Sequence, residues 1–371
     1  MIELYGIEEK TYTLNLGPQH PSTHGVLRVL LEMEGEFISK AEPVIGYGHR
    51  GHEHMAENRN YQQFLPNMGR VDYLHALAYN QGYCMAVEKL LGLVVPERAE
   101  FIRVITAELN RITSHLLWFG AYLLDLGAFT PIMYAFDDRE HILDLLDRIT
   151  GSRLTYCFYR FGGVPVDLDD EFITGTRAFI QRLRSRWVDY DNLVTKNVIF
   201  INRARDVGLI TKDQCVKYGI TGPNLRGSGI PYDIRKSEPY SAYPLFDFEV
   251  PIGSKGDIFD RYMVRLQEME QSCRIIEQAL DKLPNGPIMA EKVPKRIKPP
   301  VGEVYQAVET ARGEFGIYIV SQGDVKPYRV KLRVPSFANL SLFPELAVDT
   351  LVADLVAILG SVDVVIPEID R

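Results

Sequence analysis

The sequence has only four cysteines in 371 residues, and no two of them lie close together. Cys84, Cys157, Cys215 and Cys273 form no Cys-x-x-Cys pair, so the chain contains neither a zinc ribbon nor a self-contained iron–sulfur motif. Three of the four fall in apolar or helical patterns, where a buried free thiol is the ordinary interpretation. Isolated, reduced thiols indicate a reducing compartment, and we expect the cytosol.

An excess of positive charge is also missing. The chain has 41 lysines and arginines against 49 acidic residues, a formal net charge of −8. This argues against nucleic acid as a partner, because phosphate contacts need clustered cations. The one basic cluster, at 292–298, is short and proline-rich, and it predicts a solvated linker. Neither usual form of the glycine-rich phosphate loop is present, which argues against dinucleotide binding.

Long hydrophobic runs are scarce. The N-terminus, Met-Ile-Glu-Leu-Tyr-Gly, lacks the basic start and apolar stretch of a signal peptide. The run 116–136 is about long enough to span a bilayer and carries one charge, Asp125. A glycine and a proline interrupt its end, and it continues an amphipathic pattern that begins at Ile102. We therefore predict a buried core helix rather than a membrane span.

The apolar and charged contents, 46% and 24%, are those of an ordinary globular protein and argue against disorder. Apolar residues at steps of three and four mark long helices over 102–119, 138–149, 172–194 and 258–283. None of these helices can bury its apolar stripe alone. They therefore predict a central bundle of long helices.

Strand-like patterns flank the predicted bundle on both sides. The N-terminal strands are expected at 11–16, 26–33 and 37–45, and the C-terminal ones at 303–309, 315–321 and 328–334, followed by a helix at 349–359. We predict an α+β fold of three parts. A β region spans 1–45, a helical bundle with an irregular excursion at 219–250 spans 46–290, and a small α/β region that returns to the site spans 291–371.

One short stretch combines rigid turns with histidines. Two prolines and two glycines bracket His20 and His24 in the segment 17–25, directly after the strand-like run 11–16. Proline fixes φ and glycine permits tight turns, so we predict a rigid loop between two strands. Such a loop holds an imidazole proton donor at a fixed point. The residues alone leave a solvated, proline-rich turn as an equal alternative.

Two further sets of side chains are candidates for a chemical role. His49, His52 and His54 are spaced like metal ligands, but Ala56 stands where His-Glu-x-x-His needs its second histidine. A soluble metalloenzyme built on these three residues is a minor alternative. Asp125 lies inside an apolar helical pattern, where a carboxylate is costly to bury unless it is paired or protonated. Either a histidine or arginine partner or a solvated helix end would satisfy it.

Ordered motifs along the chain match those of a known family. The N-terminal loop is Gly-Pro-Gln-His-Pro-Ser-Thr-His-Gly-Val-Leu-Arg at 17–28, and Arg-Val-Asp-Tyr follows at 70–73. Further matches are Leu-Asp-Leu-Gly-Ala at 124–128, Phe-Glu-Val-Pro-Ile-Gly at 248–253 and Glu-Ile-Asp-Arg at 368–371. In these motifs the chain resembles the hydrogenase-like large subunit of the peripheral arm of respiratory complex I.

The resemblance implies a subunit of a proton-pumping NADH-quinone oxidoreductase that is active only as part of a multisubunit complex. The subunit would form the quinone-reduction chamber next to the terminal [4Fe–4S] cluster of a partner subunit, and it would hold no cofactor alone. By this resemblance, His24 and Tyr73 hydrogen-bond the head group of the quinone. Asp125 pairs with His24, and His20 shapes the same loop.

The resemblance also implies residues at the edge of the chamber. Arg50 and Arg70 would lie beside the partner's cluster, where fixed cations raise its reduction potential. Asp363 and Val365 would line the chamber from the C-terminal segment. The implied partners are the iron–sulfur subunit, other peripheral-arm subunits and the membrane-arm subunit with the quinone channel. The implied location is peripheral, on the cytoplasmic side of the cell membrane or the matrix side in a mitochondrion.

A nickel–iron hydrogenase large subunit is the alternative with the same fold. Such an enzyme holds its metals through two Cys-x-x-Cys pairs, and the matching regions here have Asp72, His75, Val365 and Glu368 at about the ligand positions. Without thiolates a nickel–iron centre cannot be held. The resemblance therefore implies a nickel–iron hydrogenase-like fold that has lost its metal, and we expect no metal site.

Two departures from the family pattern limit these inferences. Thr155 stands where many members have a histidine near the cluster, which puts pH-dependent tuning of that cluster in doubt. The chain is short around 294–300, as in related complexes that receive electrons from ferredoxin or other donors, so the electron source stays open. A non-catalytic scaffold, whose chamber belongs to its partner, is the remaining alternative.

Overall fold

The computed structural model describes residues 11–19 and 25–371. Its first sheet has three antiparallel strands paired in chain order: β1 Thr11–Leu16, β2 Arg28–Glu34 and β3 Phe37–Val44. Alternate residues of β2 are buried, as expected for a strand with one face on the core. The three N-terminal strands are confirmed. His20 and His24 lie outside the described residues.

A set of helices forms the body of the protein. The first six are α1 His52–Asn58, α2 Tyr61–Met68, α3 Ala76–Leu91, α4 Glu97–Asp125, α5 Thr130–Thr150 and α6 Asp170–Tyr190. Helix α4 has 29 residues and is buried on almost every side, because α3, α5 and a later helix all pack against it. The predicted helix over 102–119 is confirmed within α4, whereas the prediction of one buried helix over 116–136 is wrong.

The apolar run 116–136 is divided between two helices. Helix α5 begins at Thr130 with Pro131 in its first turn, where proline's missing N–H would have no helical partner anyway. The sequence predicts this start at Asp138, which is too late, because Pro131 has the pattern of a helix break. The predicted end is confirmed, since Gly151 caps α5 with a φ of 70°. Among the described residues, no helix is long and apolar enough to cross a membrane.

The chain after α6 is more regular than its composition indicates. A π-helical turn at Asp191–Thr195 leads to four short helices: α7 Val198–Ala204, α8 Lys212–Tyr218, α9 Gly222–Gly227 and α10 Ile234–Ser237. The predicted excursion 219–250 therefore contains two helices and a 3₁₀ turn at Tyr243–Leu245. Arg226 and Arg235 in this segment are buried, so it packs into the helical body as well as against it.

The last long helix, α11 Ile258–Asp281, begins where the side chain of Asp257 accepts a hydrogen bond from Asp260 N. A second antiparallel sheet follows in chain order: β4 Val301–Thr310, β5 Gly313–Gln322 and β6 Arg329–Arg333. Three helices complete the fold: α12 Pro335–Ala347, α13 Val352–Val362 and α14 Ile366–Asp370. The C-terminal strands and α13 are confirmed, whereas α12 and α14 are not among the predicted elements.

One hydrophobic core joins all these parts. Leu31 of β2, Leu109 of α4 and Ile317 of β5 belong to the same buried cluster, and the β4–β5 hairpin packs on α3. The architecture is a helical core with two small antiparallel sheets, and this mixed α and β character is confirmed. The division into 1–45, 46–290 and 291–371 stays a prediction.

Candidate functional site

The tip of the β4–β5 hairpin lies inside the protein. Its two turn residues, Ala311 and Arg312, are buried. The neighbouring Gly313 has a φ of 131°, and a Cβ atom there would lie 2.5 Å from Thr221 Oγ1. Only glycine permits this close approach. The hairpin thereby carries an arginine side chain into the core.

Arg312 joins three segments that are distant in the sequence. Its Nη1 donates to Asp72 Oδ2 at 2.9 Å and to Ser114 Oγ of α4 at 3.3 Å. Its Nη2 lies 3.2 Å from Asp363 Oδ1, just after α13. All four side chains are at least nine-tenths buried. Two carboxylates and one guanidinium therefore form a buried ionic cluster.

Asp72 also shapes the turn between α2 and α3. Its Oδ1 accepts hydrogen bonds from Leu74 N at 2.9 Å and His75 N at 3.2 Å. The carboxylate consequently fixes the backbone that directly follows Tyr73. The predicted quinone ligand Tyr73 thus belongs to a turn that is hydrogen-bonded internally and tied to Arg312.

Tyr73 lies within the field of the same ionic cluster. Burial raises the pKa of its phenol, the charge of Arg312 lowers it, and the charges of Asp72 and Asp363 raise it. The phenol therefore keeps its proton at neutral pH and is a hydrogen-bond donor. The structure brings together Tyr73 and Asp363, two of the predicted site residues.

The C-terminal segment contributes Asp363 and Val365. Asp363 has a φ of 53°, a left-handed conformation that aspartate tolerates better than most residues. Its Oδ2 lies 3.8 Å from Arg265 Nε, so a second arginine faces the carboxylate. Val365 is buried, and its N–H donates to Ser336 Oγ at 3.2 Å.

Glu368 is a buried carboxyl close to this cluster. It accepts hydrogen bonds from the hydroxyls of Tyr79 and Ser336. Burial, followed by the charge of Asp72, raises the pKa of Glu368 to about 7, and the charge of Arg312 opposes both effects. This residue therefore changes charge near neutral pH.

His75 holds the hairpin tip against α4. One ring nitrogen, Nδ1, accepts from Ala311 N at 2.9 Å, and the other, Nε2, lies 3.1 Å from the carbonyl of Ala107. Burial lowers the pKa of this histidine well below its usual value. The neutral ring with a proton on Nε2 satisfies both contacts, so His75 is a structural residue here.

Arg50 and Arg70 act on one surface region. Both side chains are exposed, and Arg70 Nη1 donates to the carbonyl of Pro66 at 2.7 Å. Burial, followed by the charges of Arg50, His49 and Arg70, lowers the pKa of His52 to about 4. The two predicted cluster-facing arginines are therefore close enough to influence the same imidazole.

Two of the three clustered histidines, His49 and His54, make separate contacts. His49 Nδ1 lies 2.6 Å from the carbonyl of Asp370, whose carboxylate also accepts from the backbone N–H groups of Gly46 and Gly48. His54 is exposed beside Asn58. The described part of the chain contains no group of three or more side chains placed to hold a metal ion. The metalloenzyme alternative gains no support.

Asp125 is the half-buried last residue of α4. Burial raises the pKa of Tyr122, one helical turn earlier, and the charge of Asp125 adds to that shift. His24 and His20 lie outside the described residues, so the His24–Asp125 pair and the role of His20 stay predictions. A Cβ atom at Gly25 would lie 3.0 Å from Ile366 Cγ1. Gly25, the last residue of the predicted histidine loop, therefore packs on the C-terminal segment.

Comparison with known proteins identifies the family. A family model described as "Respiratory-chain NADH dehydrogenase, 49 Kd subunit" matches residues 125–299 and 291–371. The chain belongs to this family. The resemblance drawn from the sequence motifs is confirmed, and the chain is a member of a subunit family of a respiratory oxidoreductase complex.

Curated relatives of the 49 kDa family match over almost the whole chain. An NADH-quinone oxidoreductase subunit of Syntrophobacter fumaroxidans is 64% identical over 365 residues, 98% of both chains. The subunit of the same name from Desulfotalea psychrophila is 61% identical over 363 residues, again 98% of both. Its counterpart from Opitutus terrae is 56% identical over 98% of this chain and 91% of its own.

Sequence reasoning missed the residues that hold the site together. Arg312 lies in the tetrapeptide Thr-Ala-Arg-Gly between two strands, which has the pattern of an exposed hairpin turn. Tyr79 and Arg265 lie in long helices, where a polar residue ordinarily faces solvent. The residues beside the turn, Glu309, Thr310 and Glu314, are polar or charged, so nothing in the sequence indicates that this hairpin enters the core.

Proposed function

We propose that the chain forms the quinone-reduction chamber of a proton-pumping quinone oxidoreductase and supplies proton donors there. The chamber would adjoin the terminal [4Fe–4S] cluster of a partner iron–sulfur subunit. The relatives are named as subunits of an NADH-quinone oxidoreductase, which supports NADH as the electron source and quinone as the acceptor. An input from ferredoxin or another donor is the alternative.

The observation that carries the proposal is that Tyr73 follows Asp72 in the chain and that its phenol is influenced by the charges of the cluster of Asp72, Arg312 and Asp363. Reducing a quinone to a quinol takes two electrons and two protons. A protonated phenol can donate a hydrogen bond and then a proton to one quinone carbonyl. Under this proposal the imidazole of His24 serves the other carbonyl, and Asp125 pairs with that imidazole.

The proposed electron entry lies at the exposed arginines Arg50 and Arg70. Their charges contribute to the lowered pKa of His52, which indicates a positive field at this surface. A positive field favours the reduced form of a neighbouring cluster and raises its potential. The loop that carries Arg50 is fixed by the hydrogen bonds of Gly46 and Gly48 to Asp370.

The proposed setting is a multisubunit complex on the cytoplasmic side of the cell membrane. Its other members would be further peripheral-arm subunits and a membrane-arm subunit through which quinone enters. We also assign the helical core to the nickel–iron hydrogenase large-subunit fold. At the positions of that enzyme's thiolates, Asp72 and Glu368 instead bind Arg312, Tyr79 and Ser336 through hydrogen bonds.

The proposal predicts that Tyr73→Phe slows quinone reduction in the assembled complex. The phenyl ring keeps the packing of tyrosine but removes the proton donor. General acid catalysis typically contributes a factor of about a hundred or more, so we expect a loss of at least that order in kcat with decylubiquinone. Electron transfer from NADH to ferricyanide, which bypasses the quinone, should be unchanged.

Tyr218→Phe is the matched control, because Tyr218 hydrogen-bonds Glu345 at the surface and should be dispensable. Normal quinone turnover in Tyr73→Phe would contradict the proposal. If quinone activity falls only in proportion to the amount of assembled complex, the scaffold alternative is supported instead. Titration of the cluster by electron paramagnetic resonance separates these outcomes.

A further inference from the structure

We propose that Arg312 is a positioning residue for the proton donor Tyr73, holding Asp72 and Asp363 near the phenol and balancing their charges. The proposal rests on the proposed function, since it concerns how Tyr73 delivers its proton. Arg312 itself contacts Tyr73's neighbours and acts through them. It is one of the residues that the sequence did not single out.

The position of Arg312 is determined by the hairpin that carries it. Gly313 packs against Thr221 too closely for any side chain, and Ala311 N donates to His75. Thr310 Oγ1 closes the turn by donating to the carbonyl of Gly313 at 2.8 Å. The guanidinium therefore has a fixed origin, and its reach to Asp72 and Asp363 does not depend on a mobile loop.

The contacts of Arg312 divide into two kinds. Nη1 makes true hydrogen bonds to Asp72 and Ser114. Nη2 faces Asp363 Oδ1 at 3.2 Å without a hydrogen bond. Arg312 thus fixes the geometry of the turn before α3 and interacts with the C-terminal carboxylate through charge.

The charges around the phenol explain why this balance matters. Arg312 alone favours the ionised phenol of Tyr73, while burial, Asp72 and Asp363 all oppose ionisation. Glu368 and Tyr79 also face Arg312, and they are hydrogen-bonded to each other. Without Arg312, only Arg265, whose Nε lies 3.8 Å from Asp363 Oδ2, would remain to offset two carboxylates that face a half-buried tyrosinate.

The affected step is the transfer of one proton. The O–H bond of Tyr73 breaks, and its proton forms an O–H bond with a quinone carbonyl oxygen. Under the proposed function, the electrons for the quinone would come from the iron–sulfur cluster of the partner subunit. Tyr73 is left as a tyrosinate until it regains a proton from solvent. Arg312 stabilises this anion and thereby lowers the barrier to its formation.

The test compares Arg312→Lys and Arg312→Gln in the assembled complex. Glutamine removes the charge, and one lost pKa unit of stabilisation corresponds to about a tenfold change in the equilibrium for proton release. We expect kcat with decylubiquinone to fall by about tenfold or more in Arg312→Gln, with little change in KM. The solvent deuterium isotope effect on kcat should rise, because proton transfer becomes more rate-limiting.

Arg312→Lys keeps the charge and loses the forked geometry, so it should recover part of the lost kcat. Arg103→Gln is the matched control. Arg103 is also fully buried and pairs with a carboxylate, Glu88, at 2.6 Å, but it contacts no member of the cluster. This control should lower the yield of complex without raising the isotope effect.

The proposal is overturned if Arg312→Gln turns over normally, or if both variants lose kcat equally with an unchanged isotope effect. If Arg312→Gln fails to assemble, the double variant Asp72→Asn with Arg312→Gln is used instead, because it removes both charges of the Arg312–Asp72 pair. The double variant is expected to turn over more slowly than Asp72→Asn alone, and equal rates would overturn the proposal.

The two proposals fail in different ways. Slow turnover in Tyr73→Phe together with normal turnover in Arg312→Gln rejects the role of Arg312 and leaves the quinone chamber intact. Normal turnover in Tyr73→Phe rejects the chamber itself. If Arg312 acts through the phenol, the double variant Tyr73→Phe with Arg312→Gln should have the same isotope effect as Tyr73→Phe alone. A larger isotope effect in the double variant would contradict an action of Arg312 through Tyr73.

Discussion

The carboxyl of Glu368 is held out of water between two hydroxyl groups. Tyr79 and Ser336 donate to it from α3 and α12. In an unfolded chain this glutamate titrates near pH 4.5, whereas burial raises its pKa to about 7 in the folded protein. The folded state consequently binds the proton more tightly over the interval between these values.

This shift predicts a specific pH dependence of stability. The stabilising contribution of protonated Glu368 is fully present below pH 4.5 and is lost as the pH rises through about 7. Glu368→Gln keeps a neutral side chain that can accept from Tyr79. We therefore expect the fall in the melting temperature of the full chain between pH 5 and pH 8 to be smaller in this variant. Calorimetry across that range measures it.

Glu345→Gln serves as the control for this pH dependence. Hydrogen bonds from Lys217 and Tyr218 lower the pKa of Glu345 to about 2, so its titration lies outside the tested interval. The buried acids Glu108 and Glu268 also have pKa values lowered to about 2, and their contributions are lost only at lower pH. Parallel curves for Glu368→Gln and the unmodified chain would contradict the expectation.

At the scale of secondary structure, the β4–β5 hairpin is the element on which the site depends. Its tip enters the core because Gly222 and Gly313 allow two backbones to meet: a Cβ atom at Gly222 would lie 2.4 Å from Gly313 Cα. Neither position tolerates a side chain without displacement of the turn. The close backbone contact therefore fixes the position of the hairpin tip and with it the position of Arg312 in the core.

Gly313→Ala should displace the hairpin tip. The new Cβ would lie 2.5 Å from Thr221 Oγ1, at a φ of 131° that alanine disfavours. We expect destabilisation of about 1–3 kcal/mol and a loss of quinone turnover that exceeds the loss of complex. Denaturant unfolding of the chain and kcat of the complex measure the two effects.

Gly302→Ala is the control on the same hairpin, because its Cβ would meet only Leu90 Cδ2, at 3.9 Å. This variant should retain both stability and turnover. Comparable effects in the two variants would mean that the hairpin tip has no special role.

The elements differ in how far the sequence predicts them. Helices α4 and α11 are predicted because a long apolar stripe at steps of three and four is typical of an amphipathic helix and incompatible with the alternation of a strand. Helix α12 escapes prediction because Pro335 opens it and Pro344 lies inside it, and proline ordinarily marks a break. Helix α14 has five residues, which is too short for any periodicity to be visible.

The residues of the candidate site likewise divide into those that the sequence predicts and those that it does not. Tyr73, Asp125 and Asp363 are predicted as site residues from the family resemblance, and that prediction stays untested. Arg312 is not found, because its partners lie 240 and about 50 residues away and no spacing rule links them. Long-range ionic contacts are decided by packing in three dimensions.

At the scale of the whole molecule, α4 connects distant parts of the protein. Its buried polar residues pair along its length, with Arg103 bound to Glu88 near one end and His115 bound to Glu268 near the middle. Asp125 is its last residue. A change in charge at the proposed chamber would therefore act at the end of the longest rigid element in the described structure.

Asp125→Asn tests the proposed link between quinone reduction and proton pumping. The change removes the charge and keeps the shape of the side chain. We expect NADH to reduce the iron–sulfur clusters as before, while quinone turnover becomes slower or uncoupled from pumping. Stopped-flow cluster reduction and proton translocation in proteoliposomes measure the two steps.

Asp281→Asn is a matched control, since Asp281 ends α11 and pairs at the surface with Arg177 at 2.7 Å. It should not alter coupling. The underlying hypothesis is that the loss of protons from Tyr73 or His24 alters the charge near Asp125 and that this change starts the movement that drives pumping. Full, coupled turnover in Asp125→Asn would contradict it.

The meeting of Asp72, Arg312 and Asp363 has a consequence for biogenesis. These contacts close very long loops of chain, and such contacts form late because their entropic cost must be met before they contribute. A nascent or partly folded chain would thus lack the ionic cluster beside Tyr73, even where its helices have formed.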